Sequence, residues 1–478
     1  MDTVTTLQTL RATIGNPASR AIIRELSQYC LTCRENRIEV ALELYTGLRT
    51  TACFKCRLAE KALSPLLSQG SKAFGVSKTD LKDKFADASW RKALVNVING
   101  IGNFGVHRPF VPGSPFLIVW DITYACNLNC KHCYANAGQK LKNELSTVEA
   151  KQVIDQLDKS SVPIIAFSGG EPLVRQDIFE LTKYAHDKGI YVAIATNGTL
   201  ISKKKAREMK HAGVEFVQIS LDGSNAKTHD TFRGIDGIFE KTVQGIKNAV
   251  SEEFFVNVAT TATQNNYREI PDIINLCKDL HVKWFMMYNF VPTGRGKFIS
   301  NNDLSPEQRE ELLTYLWMEL KNESDINVLS TAPQYARVAM QHEQSKDKKV
   351  IPTHFYNPEL SNKLVNLAEF IGGCGAGRFY MAIRPNGDIE PCVFFPLKLG
   401  NIKTDDFETL WKNNSILKNL RNKDCEKGRC GSCHYRYYCG GCRARAYVYF
   451  HDYLAEDIGC VYNKDLFYKH LSETKKSE

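Results

Sequence analysis

Six apolar runs at regular intervals constrain the fold of this chain most: 116–122, 163–167, 190–195, 215–221, 254–262 and 283–291. Amphipathic stretches separate them, near 146–158, 175–188, 202–212, 238–250 and 268–280. Short apolar runs read as strands and the longer amphipathic stretches as helices. Their alternation predicts an α/β fold with a parallel sheet and helical crossovers. Barrel-type sheets carry their chemistry just after the strands, so the polar and glycine-rich segments that follow these runs are the candidate sites.

The first run leads into Asp121-Ile-Thr-Tyr-Ala-Cys-Asn-Leu-Asn-Cys-Lys-His-Cys-Tyr134. Cys126, Cys130 and Cys133 stand on the loop that follows it. Cysteine thiolates are the usual ligands of iron–sulfur clusters. Three of them can hold three irons of a four-iron, four-sulfur cluster and leave the fourth open to a small chelating molecule. Taken alone, the three cysteines also suit a zinc site or buried thiols. The second run closes in Phe167-Ser-Gly-Gly-Glu-Pro172. Gly169 and Gly170 allow a backbone to approach a ligand closely, and Glu171 can accept hydrogen bonds from an ammonium group. Asn197 follows the third run, in Ala195-Thr-Asn-Gly198, and the fourth ends in Val217-Gln-Ile-Ser-Leu-Asp-Gly223. Arg233, in His229-Asp-Thr-Phe-Arg-Gly234, is either an anion partner or a surface ion pair.

In this order, and with His132 just before the last cysteine, these motifs resemble those of radical S-adenosylmethionine (SAM) enzymes. The resemblance implies a partial (β/α)6 TIM-like barrel. It implies that the open iron chelates the amino and carboxylate groups of SAM, and that reductive cleavage yields a 5′-deoxyadenosyl radical. Carried over residue by residue, Gly169, Gly170 and Glu171 would meet the SAM amino group. Ser220 and Asp222 would meet ribose hydroxyls or the carboxylate, and Arg233 the carboxylate. Asn197 would join the same face.

A second cysteine group lies near the C-terminus. Cys374 is followed by Arg384-Pro-Asn-Gly-Asp-Ile-Glu-Pro-Cys392, where Pro-Asn-Gly marks a tight turn between short strands. Cys430-Gly-Ser-Cys433, Cys439-Gly-Gly-Cys442 and Cys460 complete the group. Cysteines so spaced call for metal or disulfides, and the absence of a secretory signature favours metal. A zinc ribbon is one reading. The arrangement also resembles the SPASM domain of radical SAM enzymes, which carries auxiliary iron–sulfur clusters. That resemblance implies Cys374, Cys392 and Cys442 on one cluster, and Cys430, Cys433, Cys439 and Cys460 on the other. The family places three residues between the last two central cysteines; here Gly440 and Gly441 stand alone. The first cluster then lacks a fourth ligand, for which Cys425 is a candidate, or its site is open or smaller. One or two auxiliary clusters are expected. Cys430–Ala446 and Val291–Gly296 are similar to the haem and tetrapyrrole enzymes of this family, whereas other SPASM proteins modify peptides or mature enzymes.

These readings divide the chain into 1–110, 111–296, 297–372 and 373–478, with the barrel in the second part and the SPASM region in the last. The first part carries Cys30-Leu-Thr-Cys33 and Cys53-Phe-Lys-Cys56, a spacing typical of zinc sites. Ile38, Ala41, Leu42, Leu44, Tyr45 and Leu48 recur at helical spacing between the pairs. A small helical domain stapled by zinc or by a single rubredoxin-like iron is expected, with unliganded buried thiols as the alternative. Residues 1–110 hold 16 basic against 9 acidic residues, which accounts for most of the net +9 of the chain. Such asymmetry points to an anionic partner. Trp90–Phe104 pairs helical apolar spacing with basic residues, as an interfacial membrane helix would. Gly100 and Gly102 weaken a free helix, so a helix docked on the barrel is preferred.

The part 297–372 is expected to be a helical connector, with helices near 306–322 and 328–344, and Cys277 a helix core thiol. No run approaches the roughly 18 apolar residues of a membrane span, and Met1–Gln8 does not read as a signal peptide. A soluble or membrane-peripheral protein of the reducing cytoplasm is expected. The function expected is radical oxidation of an unactivated C–H in an amphipathic or anionic small molecule, lipid or peptide. Electrons would come from a donor such as ferredoxin or flavodoxin. A nucleic-acid-binding zinc protein would explain the charge and the CxxC pairs but none of the glycine and serine motifs, so nucleic acid is not an expected partner. No protein acid or base stands out.

Overall fold

The computed structural model describes residues 16–74, 77–322, 326–342, 352 and 367–477; Met1–Gln8 and the end of the second connector helix expected near 328–344 lie outside them. Strands β1 (Tyr29–Cys30) and β2 (Glu35–Asn36) form a short antiparallel hairpin. The six expected runs become β3 (Leu117–Asp121), β4 (Ile164–Ser168), β5 (Tyr191–Thr196), β6 (Val214–Ser220), β7 (Phe255–Ala262) and β8 (Trp284–Asn289). They pair in parallel in chain order, as strand–helix alternation requires.

The helices cover the outer face. Ser146 and Glu149 form a capping box that starts α6 (Thr147–Lys159). Ala150, Val153, Ile154 and Leu157 on α6 are buried at helical spacing. Burying Val153, Ile154 and Leu157 contributes about 1.5–3 kcal/mol each. The strands show the complementary pattern. On β8, Phe285 and Met287 are sealed under the helices, while Trp284, Met286 and Tyr288 are half-buried on the inner face.

The sheet is wider than the six runs. Asn327–Ser330 forms β9, parallel to β8, and Tyr380–Ile383 forms β10, parallel to β3. The connector is therefore not purely helical: its first helix is Pro306–Lys321, and the second begins only at Gln334, after β9. The turn at Pro385-Asn-Gly387 joins β10 to β11 (Asp388–Glu390), which pairs with β12 (Gly400–Asn401). The C-terminal region thus starts as an extension of the barrel sheet.

The N-terminal helices are α1 (Pro17–Leu26), α2 (Arg37–Thr46), α3 (Phe54–Phe74), α4 (Lys78–Ala86) and α5 (Ala88–Phe104). Gly47, in the left-handed region at φ 87°, ends α2, so Leu48 falls outside the helix and is exposed. Helix α5 is docked rather than interfacial. The Asn96 amide bonds Ser114 and Pro115, and a Cβ at Gly100 would stand 2.5 Å from the Val111 carbonyl oxygen. Its two basic residues are buried in ion pairs. Cys277 is fully buried in Ile270–Asp279. No helix among the described residues is long and apolar enough to cross a membrane.

Candidate functional site

The cysteine loop leaves the carboxyl end of β3 and is pinned from several sides. Each of its thiols receives a donor. Leu128 N–H reaches Cys126 Sγ at 3.4 Å, Ala137 N–H reaches Cys133 Sγ at 3.4 Å, and the Arg233 guanidinium reaches Cys130 Sγ at 3.7 Å. Burial pushes the Cys126 thiol up to about 12 and raises that of Cys130, against the Leu128 and Arg233 donors; a bound metal, with these donors, would hold the sulfurs as thiolates.

The glycine pair after β4 serves the loop itself. Gly170 N–H donates to Thr123 O and Glu171 N–H to Ala125 O. A Cβ on Gly169 would stand 2.3 Å from Thr123 O, and one on Gly170 2.3 Å from Ala125 O. The close approach made possible by these glycines is thus between two backbone segments of this chain. Glu171 is fully buried, and its carboxylate accepts from Leu173 N–H, Thr196 Oγ1 and Asn197 N–H at 2.8–3.1 Å. Burial pushes its carboxyl above the usual range, against the Asn197 and Thr196 donors. The side chain ties the ends of β4 and β5 together. Asn197 extends that tie, donating to Asn127 of the cysteine loop at 2.9 Å.

Asp222 and Arg233 are brought together with each other. Asp222 is fully buried, accepts from Thr261 N–H at 2.8 Å and pairs with Arg233 at 2.6 Å. Despite the cost of burial, Arg233 holds this carboxyl below the usual carboxylate range. His132 lies 3.4 Å from the same carboxylate, stacked on Phe232, and burial pushes its pKa down to about 3. Asp222 thereby orients Arg233 beside Cys130. Ser220 ends β6 half-buried, two residues from Gln218 and on the same face. The Tyr288 hydroxyl and the Asn257 amide both donate to Gln218 Oε1, across the inner surface.

Two supports of the loop were not anticipated. Arg295 donates to Cys130 O at 2.9 Å and to Ala137 O at 2.5 Å, and its own N–H donates to Cys133 O at 2.9 Å. Gly294, at φ 56°, leaves no room for a Cβ against Tyr134 O, 2.3 Å away. The segment Val291–Gly296 thus buttresses the cysteine loop. The Tyr134 hydroxyl donates to Asp121 at 2.9 Å, and Arg384 bonds Asp121, Glu390 and Val393 O. This network joins the barrel to the β10–β11 hairpin. Its signal in sequence was one acid, Asp121, at a strand end.

The C-terminal cysteines gather in two groups. Cys430, Cys433, Cys439 and Cys460 line one small cavity with Arg337 and the Gly440–Gly441 turn. Gly441 N–H and Asp457 N–H donate to Cys439 and Cys430 at 3.4 Å. Cys374, Cys392 and Cys442 sit together near the Tyr380 phenol, whose pKa burial and these thiols push well up. Cys425 does not line the cavity of Cys430, Cys433, Cys439 and Cys460. The gathering matches the interleaved ligand sets, so the residues present fit two further clusters. A cleft of about 1240 Å³ lies elsewhere, between the N-terminal helices and the amino ends of β4 to β6.

The Radical SAM superfamily profile matches residues 120–277, and the SPASM iron–sulfur cluster-binding profile matches residues 374–434. The AdoMet-dependent heme synthase of Methanosarcina barkeri is 38% identical over 351 residues, 73% of this chain and 97% of that protein. Mycofactocin maturase MftC of Mycobacterium tuberculosis is 32% identical over 69% of this chain and 79% of its own length. The crystal structure of Streptococcus suis SuiB bound to S-adenosylmethionine shares the fold, with TM-score 0.63 and 17% identity over 88% of this chain and 92% of SuiB. The cofactors that follow are a four-iron, four-sulfur cluster with SAM, and auxiliary iron–sulfur clusters. This chain belongs to the radical SAM superfamily, as an enzyme with a C-terminal SPASM domain.

Proposed function

We propose that the chain is a radical SAM oxidoreductase acting on an anionic tetrapyrrole. The observation that carries this reading is the similarity to a heme synthase over nearly that protein's whole length. The inner face of the barrel supports it: Met286 and Tyr288 offer polarizable and aromatic surface, and Gln218 a polar anchor. When bound, the cluster and SAM supply a 5′-deoxyadenosyl radical that takes a hydrogen atom from an unactivated carbon.

The residues of this chain hold and orient. Cys126, Cys130 and Cys133 bind the radical cluster, and Arg233 beside Cys130 stabilises its thiolate. The backbone of Gly169–Glu171 and the Ser220 hydroxyl line the SAM site, with Glu171, Asn197 and Asp222 positioning them. Cys430, Cys433, Cys439 and Cys460 take one auxiliary cluster, and Cys374, Cys392 and Cys442 the other. Three full clusters correspond to roughly twelve irons per chain; about four would remove the auxiliary sites from the account. Electrons arrive from a ferredoxin or flavodoxin, and sixteen cysteines suit a reducing cytoplasm.

A second reading, oxidation of a peptide side chain, is favoured by the similarity to mycofactocin maturase. The lipid reading loses one of its supports, because α5 is docked and its cations are paired. The test is anaerobic turnover with SAM, reductant and either an iron coproporphyrin or a short peptide, read by mass spectrometry. Loss of mass from the tetrapyrrole, coupled to 5′-deoxyadenosine, is expected. A modified peptide beside unaltered tetrapyrrole would decide for the second reading.

A further inference from the structure

We propose that Cys30, Cys33, Cys53 and Cys56 bind a single zinc ion, and that this ion clamps the N-terminal helices onto the end of the barrel opposite the cysteine loop. The four Sγ atoms all lie within 4.8 Å of one another, with Cys30 and Cys53 at 3.5 Å. Four thiolates around one ion, each about 2.3 Å from it, stand about 3.8 Å apart. In a four-iron cube each cysteine binds a different iron, and the sulfurs spread wider. Neither the radical-cluster thiols nor the auxiliary sets converge this closely among the described residues. The N-terminal set is therefore mononuclear. Four thiolates close the coordination shell, as in structural zinc sites.

The surroundings are those of a metal knuckle. Cys30 and Cys33 bracket the turn between β1 and β2, where Arg34 takes φ 58° and donates to Cys30 O. Cys53 and Cys56 sit at the start of α3. Cys33 N–H and Cys53 N–H point at Cys30 Sγ and Cys33 Sγ, each at 3.5 Å. Cys30 and Cys56 are buried.

The knuckle fixes α2, which follows the first cysteine pair directly. Helix α2 in turn carries Glu39 and Glu43. Glu43 lies 3.7 Å from Arg91 and Glu39 3.8 Å from Lys92, both on α5, and Lys92 reaches Asp158 at the end of α6 at 2.6 Å. The two cations are nearly inaccessible; without α2, Lys92 keeps Asp158 and Arg91 keeps the carbonyls of Phe85 and Ala86, but each buried charge loses one of its neutralising acids, which is destabilising. Among the described residues, the main cluster of the helical unit has eight buried apolar side chains, from Ile38 to Val95. With so small a core, metal binding is folding energy. The order of dependence runs from the ion to α2, from α2 to the cations of α5, and from these to the barrel helix α6.

The test uses the full chain purified anaerobically, with elemental analysis and hydrogen exchange. One zinc per chain is expected beyond the cluster iron. The double variant C30A/C53A should lose that zinc, keep its iron and acid-labile sulfide, and exchange amides of 88–104 at least tenfold faster. A second variant, E39Q/E43Q, should retain the zinc while the same amides exchange faster, which separates the clamp from simple misfolding. A wild-type chain without zinc, or one equivalent of iron in its place, would overturn the assignment of the ion. Unchanged protection of 88–104 in either variant would overturn the clamp.

Discussion

Replacing Arg295 by alanine should loosen the cysteine loop without unfolding the barrel. The side chain makes two hydrogen bonds to loop carbonyls, at 2.9 Å to Cys130 O and 2.5 Å to Ala137 O. A hydrogen bond from a charged donor contributes about 1.5–3 kcal/mol. Arg295 is only part-buried, and the freed carbonyls regain water, so roughly 3 kcal/mol is the reasonable total for the pair. At 1.4 kcal/mol per tenfold, the open loop becomes about a hundredfold more populated. The assay is an anaerobic chelator challenge, following the loss of SAM-cleaving activity with time. Arg295→Ala should lose activity tens to a hundred times faster than wild type, and Arg295→Lys, able to keep one of the two bonds, should fall between. The melting temperature of the barrel should move little, because the loop lies outside its apolar core. Decay at the wild-type rate in Arg295→Ala would refute the buttress.

Gly170→Ala places a methyl 2.3 Å from the Ala125 carbonyl oxygen, a backbone atom that cannot swing aside. Incomplete loading of the first cluster is expected, read as SAM cleavage per chain; full loading would show that the two segments separate easily. Glu215 stands at the start of β6, and burial, helped by Asp87, raises its pKa from 4.5 to about 7. The folded chain then binds the extra proton between these values, so this contribution is present below the unfolded value and lost as pH rises through about 7. Because the side chain is 35% exposed, the effect is discounted to about 1 kcal/mol. Glu215→Gln should gain that much at pH 8 and none at pH 4, by denaturant titration; equal gains at both would contradict the assignment.

The sequence exposed the strands and the cysteines because their signals are local. Each apolar run of the barrel is a strand buried under helices, and the thiols gather at short spacings in the chain. What could not be read were contacts between distant backbone segments. Arg295 acts on carbonyls at 130 and 137, which carry no side-chain signature. Glycine at 169 and 170 signals close approach but not to what, and the partner proved to be the cysteine loop. A lone Glu171 gives no hint that three donors of its own chain will occupy it. Strand β9 was hidden by its length of four residues and by the helix that begins soon after. The basic start of Trp90–Phe104 suggested a membrane surface because the acids that neutralise it lie on α2 and α6.

The most direct test of the account is SAM cleavage by the triple variant C126A/C130A/C133A. Incubated anaerobically with SAM and dithionite, the wild-type chain should produce 5′-deoxyadenosine. The variant should produce none while retaining the iron of its C-terminal sites. Undiminished 5′-deoxyadenosine from the variant would contradict the assignment of this loop as the radical centre.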